Sequence, residues 1–88
     1  MIYLIIFELS QGEKHYEELF AKIKAIGKWS RPFENCFLVK AVDSASQIYF
    51  NLKPHIDKSD NLLVLQAGKD WFGFLPMDKL SQLQEMLD

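Results

Sequence analysis

The sequence predicts a single α+β domain, on three observations. It opens on an apolar run free of Pro and Gly, it carries two amphipathic helical stretches that are each followed by β-prone runs, and its 88 residues leave no room for a second core. With 49% hydrophobic and 14% aromatic residues, the chain is too apolar to be disordered. Its longest purely apolar run, Ile2 to Phe7, is too short to span a bilayer, so no membrane association is expected. The start Met1-Ile2-Tyr3-Leu4 lacks the basic region and small-residue cleavage site of a secretory signal, and a cytoplasmic location is expected.

Ile2 to Leu9 is rich in Ile, Leu, Tyr and Phe and stops at Ser10-Gln11-Gly12, as a strand closed by a turn does. Tyr16, Leu19, Phe20, Ile23 and Ile26 then recur at helical spacing, with Glu17, Glu18, Lys22 and Lys24 mostly outside the stripe. Gly27 stands where a helix C-cap favours positive φ. Trp29 to Phe33 and Cys36 to Lys40 are short β-prone runs separated by Glu34-Asn35, an antiparallel pair in which Pro32 marks an edge or a bulge. Asp43 or Ser44 can cap a second helix, whose buried stripe is Ala45, Ile48, Tyr49 and Leu52 and which ends at Pro54. Leu62 to Gln66 reads as a fourth strand, Trp71 to Phe74 as a short fifth strand, and Pro76 starts a last helix over 77–87 that carries Leu80, Leu83 and Leu87. The expected architecture is thus a ferredoxin-like split β-α-β-β-α-β sandwich over residues 1–88, with a fifth strand and a C-terminal helix appended.

A net charge of -2 gives no general attraction to phosphate, so nucleic-acid binding is disfavoured unless a local basic patch intervenes. The cations Lys14, Lys22, Lys24, Lys28, Arg31 and Lys40 lie in the first forty residues, which locates any such patch in that half.

Two helices on one side of a sheet leave the other side to water, and its residues should then be polar. Here both faces of the first strand are apolar, Ile2, Leu4 and Ile6 on one and Tyr3, Ile5, Phe7 and Leu9 on the other. Something must cover the second face, either the C-terminal helix or a second copy. A self-complementary two-fold contact is the commonest solution, so a homodimer through the sheet face is expected, with Tyr3, Ile5, Phe7, Trp71 and Phe74 at its interface.

Tyr3-Leu4-Ile5-Ile6-Phe7-Glu8-Leu9, the helix ending in Ile26-Gly27, the strand Phe37-Leu38-Val39 and Leu62-Leu63-Val64-Leu65 together resemble a known group. It is the small CRISPR-associated subunit of spacer acquisition with its relatives, virulence-associated protein D and short SinR-like proteins. The resemblance covers the whole chain as an order of elements and rests on hydrophobic strands. It implies a ferredoxin-like homodimer whose sheets pack face to face, with the segment after the fourth strand, here Trp71 to Phe74, reaching across to the partner. In several members an aspartate ending the first strand is proposed to bind a divalent metal for phosphodiester hydrolysis. The matching position is Glu8, one methylene longer, and no arginine-rich first helix accompanies it.

Three functional readings follow. The favoured one is a non-catalytic binding or regulatory module that works through its surfaces, with no cofactor expected and a further protein partner possible. The second, carried by the resemblance, is a metal-dependent endonuclease in which Glu8 is the catalytic and metal-binding residue and two copies hold Mg²⁺ or Mn²⁺. The third is an RNA-binding component of a toxin or antitoxin pair that uses Lys24, Lys28 and Arg31 with Trp29 as a stacking surface. His15 with Glu18 makes too few ligands for zinc, and His55 lies beyond the second helix. Asp57, Ser59 and Asn61 imitate a calcium loop, but Leu62 stands where the loop needs glycine. Cys36 has no partner motif and reads as a small buried hydrophobe.

Overall fold

The computed structural model describes residues 1–87; Asp88, the last residue of the expected domain, lies outside the described residues. Four strands, β1 (Ile2–Glu8), β2 (Trp29–Phe33), β3 (Cys36–Lys40) and β4 (Asn61–Ala67), form one antiparallel sheet in the order β2-β3-β1-β4. Helices α1 (Glu17–Lys24) and α2 (Ala45–Leu52) connect β1 to β2 and β3 to β4, and α3 (Met77–Leu87) follows β4 after an irregular strap. No helix among the described residues is long and apolar enough to cross a membrane.

The sheet order follows from the apolar content of the strands. β1 lies between β3 and β4, pairs with both along most of its length, and alternates buried with half-buried side chains. Its odd residues Tyr3, Ile5 and Phe7 join Phe37 and Val39 of β3 in a core closed by Leu19 and Ile23 of α1 and Ile48 and Leu52 of α2. The second helix starts as its residues require. Ser44, the nearer of the two expected caps, accepts from the Gln47 N–H at 3.2 Å, and the Gln47 side chain accepts from the Ser44 N–H at 2.7 Å, a reciprocal capping box.

β2 is an edge strand, and its register shifts between Ser30 and Phe33, around Pro32. That is the irregularity expected of a strand that loses one ladder donor to proline.

Three sequence-based expectations are corrected. Trp71 to Phe74 forms no strand. A strand needs a ladder partner, and this segment instead crosses the open sheet face, where Trp71 and Leu75 pack beside Leu38. Gly27 does not adopt positive φ; no residue of the chain does so among those described. Glycine is required there for a different reason: the Lys40 carbonyl oxygen occupies the space a Cβ would need. Finally, Tyr3, Ile5 and Phe7 lie under α1 and α2, so these expected interface residues are core side chains. The open face belongs to the even set, Ile2, Leu4 and Ile6.

Candidate binding surface

The face opposite α1 and α2 carries Ile2, Leu4 and Ile6 of β1, Leu38 and Cys36 of β3, and Leu63, Leu65 and Ala67 of β4, as the strand pairing requires. α3 covers one side of it. Leu83 and Met86 of α3 are buried against Leu38, and Ile2, Leu4, Trp71, Leu75 and Leu87 pack around them. Three polar contacts hold the helix over β2: the Ser30 hydroxyl donates to Gln82 Oε1 at 3.1 Å, Lys79 Nζ donates to the Pro32 carbonyl at 3.0 Å, and Lys28 Nζ stands 3.9 Å from a Glu85 carboxylate oxygen.

The cover reaches Ile2 and Leu4 of β1 and Ala67 of β4 but leaves the middle of β4 bare. Leu63 is 55% and Leu65 40% exposed, and the same face holds an apolar cleft of about 600 Å³, with Leu4, Ile6, Cys36, Leu38, Trp71 and Leu83 among its walls. Phe72 and Phe74, on the strap at its rim, are 101% and 104% exposed. Apolar side chains of this size gathered around a concave surface mark an interaction site more often than scattered surface hydrophobics do.

The expected site residues fall in separate places. Glu8 ends β1 on the open face, exposed, and accepts a hydrogen bond from Asn61 Nδ2 at 3.0 Å. It borders a hollow of about 470 Å³ near the β2–β3 turn, together with Glu13, Arg31 and Glu34. Arg31 lies over the rings of Phe20 and Phe37, at 4.9 and 5.0 Å from their centroids. Its Nη1 pairs with Glu13 at 2.9 Å, and Nη2 donates to the Glu34 carbonyl at 2.6 Å. Lys24 Nζ sits 4.8 Å from the Trp29 ring centroid, on the ring face a nucleobase would use. Lys28 lies by Glu85 of α3. Of the expected interface set, Trp71 is half-buried in the cleft and Phe74 stands in water.

His15 pairs with Asp57 at 2.9 Å and His55 with Glu18 at 3.8 Å, so the two histidines are separated. No group of three or more His, Cys, Asp and Glu side chains among the described residues is arranged to hold a metal ion. Cys36 is buried, and burial raises its thiol pKa.

One polar centre was not visible in the sequence. Asp60, which looks like part of the polar loop before β4, is buried. Its carboxylate accepts from the N–H of Ser10 at 2.7 Å, the Ser10 hydroxyl at 2.9 Å, the Tyr16 hydroxyl at 2.8 Å and the Asp57 N–H at 2.7 Å. Burial would raise its pKa, but the donors from Asp57, Ser10 and Tyr16 outweigh that penalty and hold it at about 2. The donors come from the segment after β1, the turn before α1 and the loop before β4, so this carboxylate ties those three pieces together. An aspartate immediately before an aliphatic strand was the one available signal.

No protein-family model matches the chain, and no curated protein matches its sequence closely enough to count as a relative.

Proposed function

We propose that the protein is a non-catalytic binding or regulatory module that works as a homodimer, with the ferredoxin-like split β-α-β-β-α-β plan and a kinship to the small CRISPR-associated subunit group. The observation that carries this reading is the apolar surface left bare, Leu63 and Leu65 on β4 and Phe72 and Phe74 on the strap. Four such side chains moved from water to contact give a gross gain of about 6–12 kcal/mol per chain. That is comparable with the cost of association, about 4–15 kcal/mol, when both copies contribute. The hollow beside Glu8, by contrast, is bordered by carboxylates and by an arginine already engaged with Glu13.

The test is sedimentation of the wild-type chain and of Phe72→Ser/Phe74→Ser. A concentration-dependent dimer supports the reading, and its weakening by the double substitution would put the strap in the joint. A wild-type chain that stays monomeric at high micromolar concentration removes it.

A further inference from the structure

We infer that two copies of the chain join edge to edge through β4, continuing the antiparallel sheet across a two-fold axis at Val64, and not face to face as the resemblance implies; this rests on the homodimer reading above and gives it a geometry.

The two edges of the sheet are treated differently. The β2 edge has the features that prevent strand addition: Arg31, Pro32, a register shift, and α3 anchored across it through Lys79 and Gln82. The β4 edge has none. Asn61–Ala67 is a seven-residue strand without charge, Pro or Gly, and it pairs with β1 in unbroken register. A long, regular, uncharged edge is a site for another strand unless it is already in use.

The backbone at that edge is self-complementary. Phe7 donates its N–H to Asn35, and Met1 exchanges bonds with Ala41, so the odd residues of β1 turn their backbone groups toward β3 and the even ones toward β4. Ile2, Leu4, Ile6 and Glu8 pair with Ala67, Leu65, Leu63 and Asn61, which leaves Leu62, Val64 and Gln66 with their N–H and C=O groups facing outward. None of these three makes a backbone bond outside the sheet.

A two-fold axis at Val64 sets Val64 against its own copy and Leu62 against Gln66 of the partner subunit. All three outward residues are satisfied at once, by about six hydrogen bonds, two for each pair. In the same register Leu63 of one copy lies opposite Leu65 of the partner subunit as a non-hydrogen-bonded pair, the kind with the closer side chains. Those are the two leucines exposed on the open face. The polar contacts of α3 run to β2 and the residue before it, while Leu63, Leu65 and Gln66 of β4 stay exposed.

This arrangement also separates the two Glu8 carboxylates. Each sits opposite Asn61, three residues from the axis and one strand in, so the copies lie at opposite ends of the joint, about 25 Å apart by strand spacing and rise. They do not converge on one ion.

The test uses charge pairs across the axis. Leu63→Lys/Leu65→Lys and Leu63→Glu/Leu65→Glu are prepared separately, checked for native circular dichroism, and sedimented alone and mixed. Each alone sets like charges opposite one another, and dimer dissociation constants should rise about 100-fold or more. Mixed, they set opposite charges in register, and a heterodimer should form. If wild type dimerises and the lysine variant does so equally well, edge pairing is overturned while the homodimer reading stands. If both variants are monomers and mixing restores nothing, the register is overturned. A monomeric wild type overturns both readings.

Discussion

The hydroxyl of Tyr16 lies 2.8 Å from each carboxylate oxygen of Asp60, inside a cluster that also holds the backbone of Ser10 and Asp57. The chain around Ser10 and Tyr16 is tied at this one anion to the loop before β4, so its charge is part of the fold. Because the folded pKa is depressed to about 2 from an ordinary value near 3.9, the stabilisation is complete above about pH 4. It is lost as pH falls toward the folded value. Urea unfolding at pH 6 and at about pH 2.5 should show this loss, and Asp60→Asn should remove most of the pH dependence while costing about 2–3 kcal/mol at neutral pH.

Gly27→Ala should destabilise the chain by about 1–3 kcal/mol. The added methyl meets the Lys40 carbonyl, and the neighbouring bond from the Lys40 N–H to the Lys28 carbonyl, 2.8 Å long, keeps the two segments from separating. Thermal unfolding measures the loss. A neutral result would mean the two segments can part without cost.

Leu83→Ala should loosen α3 selectively. Leu83 belongs to the smaller apolar cluster, while the larger one beneath α1 and α2 does not include α3. Amide exchange should therefore accelerate over Met77–Leu87 and little in β1 and β3, with a change in Trp71 fluorescence. The local cost is about 2–4 kcal/mol. Uniform acceleration throughout the chain would show instead that the two clusters unfold as one unit.

Phe72→Ser should change monomer stability by less than about 0.5 kcal/mol, because its ring is fully in water and loses no packing. A larger destabilisation, read by urea unfolding at low concentration, would mean that the ring packs in solution.

The nuclease reading makes the opposite demand on Glu8 from the binding reading. Under the latter, neither RNA nor DNA is cut in Mg²⁺ or Mn²⁺, and Glu8→Ala costs only its exposed bond from Asn61, about 0.5–1 kcal/mol. Metal-dependent cleavage that vanishes in Glu8→Ala would install the nuclease in its place.

The element order and its punctuation were legible because each rests on local chemistry. Pro32 announces an irregular edge, Asp43-Ser44 announces a helix start, and the Tyr16–Leu19–Ile23 stripe announces a buried helix face. The choice of sheet face was not, since apolar residues occupy both parities of β1. A weaker signal was present: Glu8 shares the parity of Ile2, Leu4 and Ile6, and Lys40 that of Leu38, which marks that face as the wetter one. Trp71 to Phe74 misled because aromatic content resembles strand propensity, whereas a strand is defined by its neighbour. The Asp60 cluster was hidden for a similar reason, as two of its donor residues, Ser10 and Tyr16, lie 50 and 44 residues away in the chain.

The sulfur of Cys36 gives the uncovered face a built-in clock. It is the chain's sole thiol, it lines the cleft, and it is both shielded and held in its protonated form by its surroundings. Alkylation of a buried thiol needs a local opening of the groups around it. The rate of its modification in the unaltered chain therefore times that opening, and any occupant that seals the face should slow it.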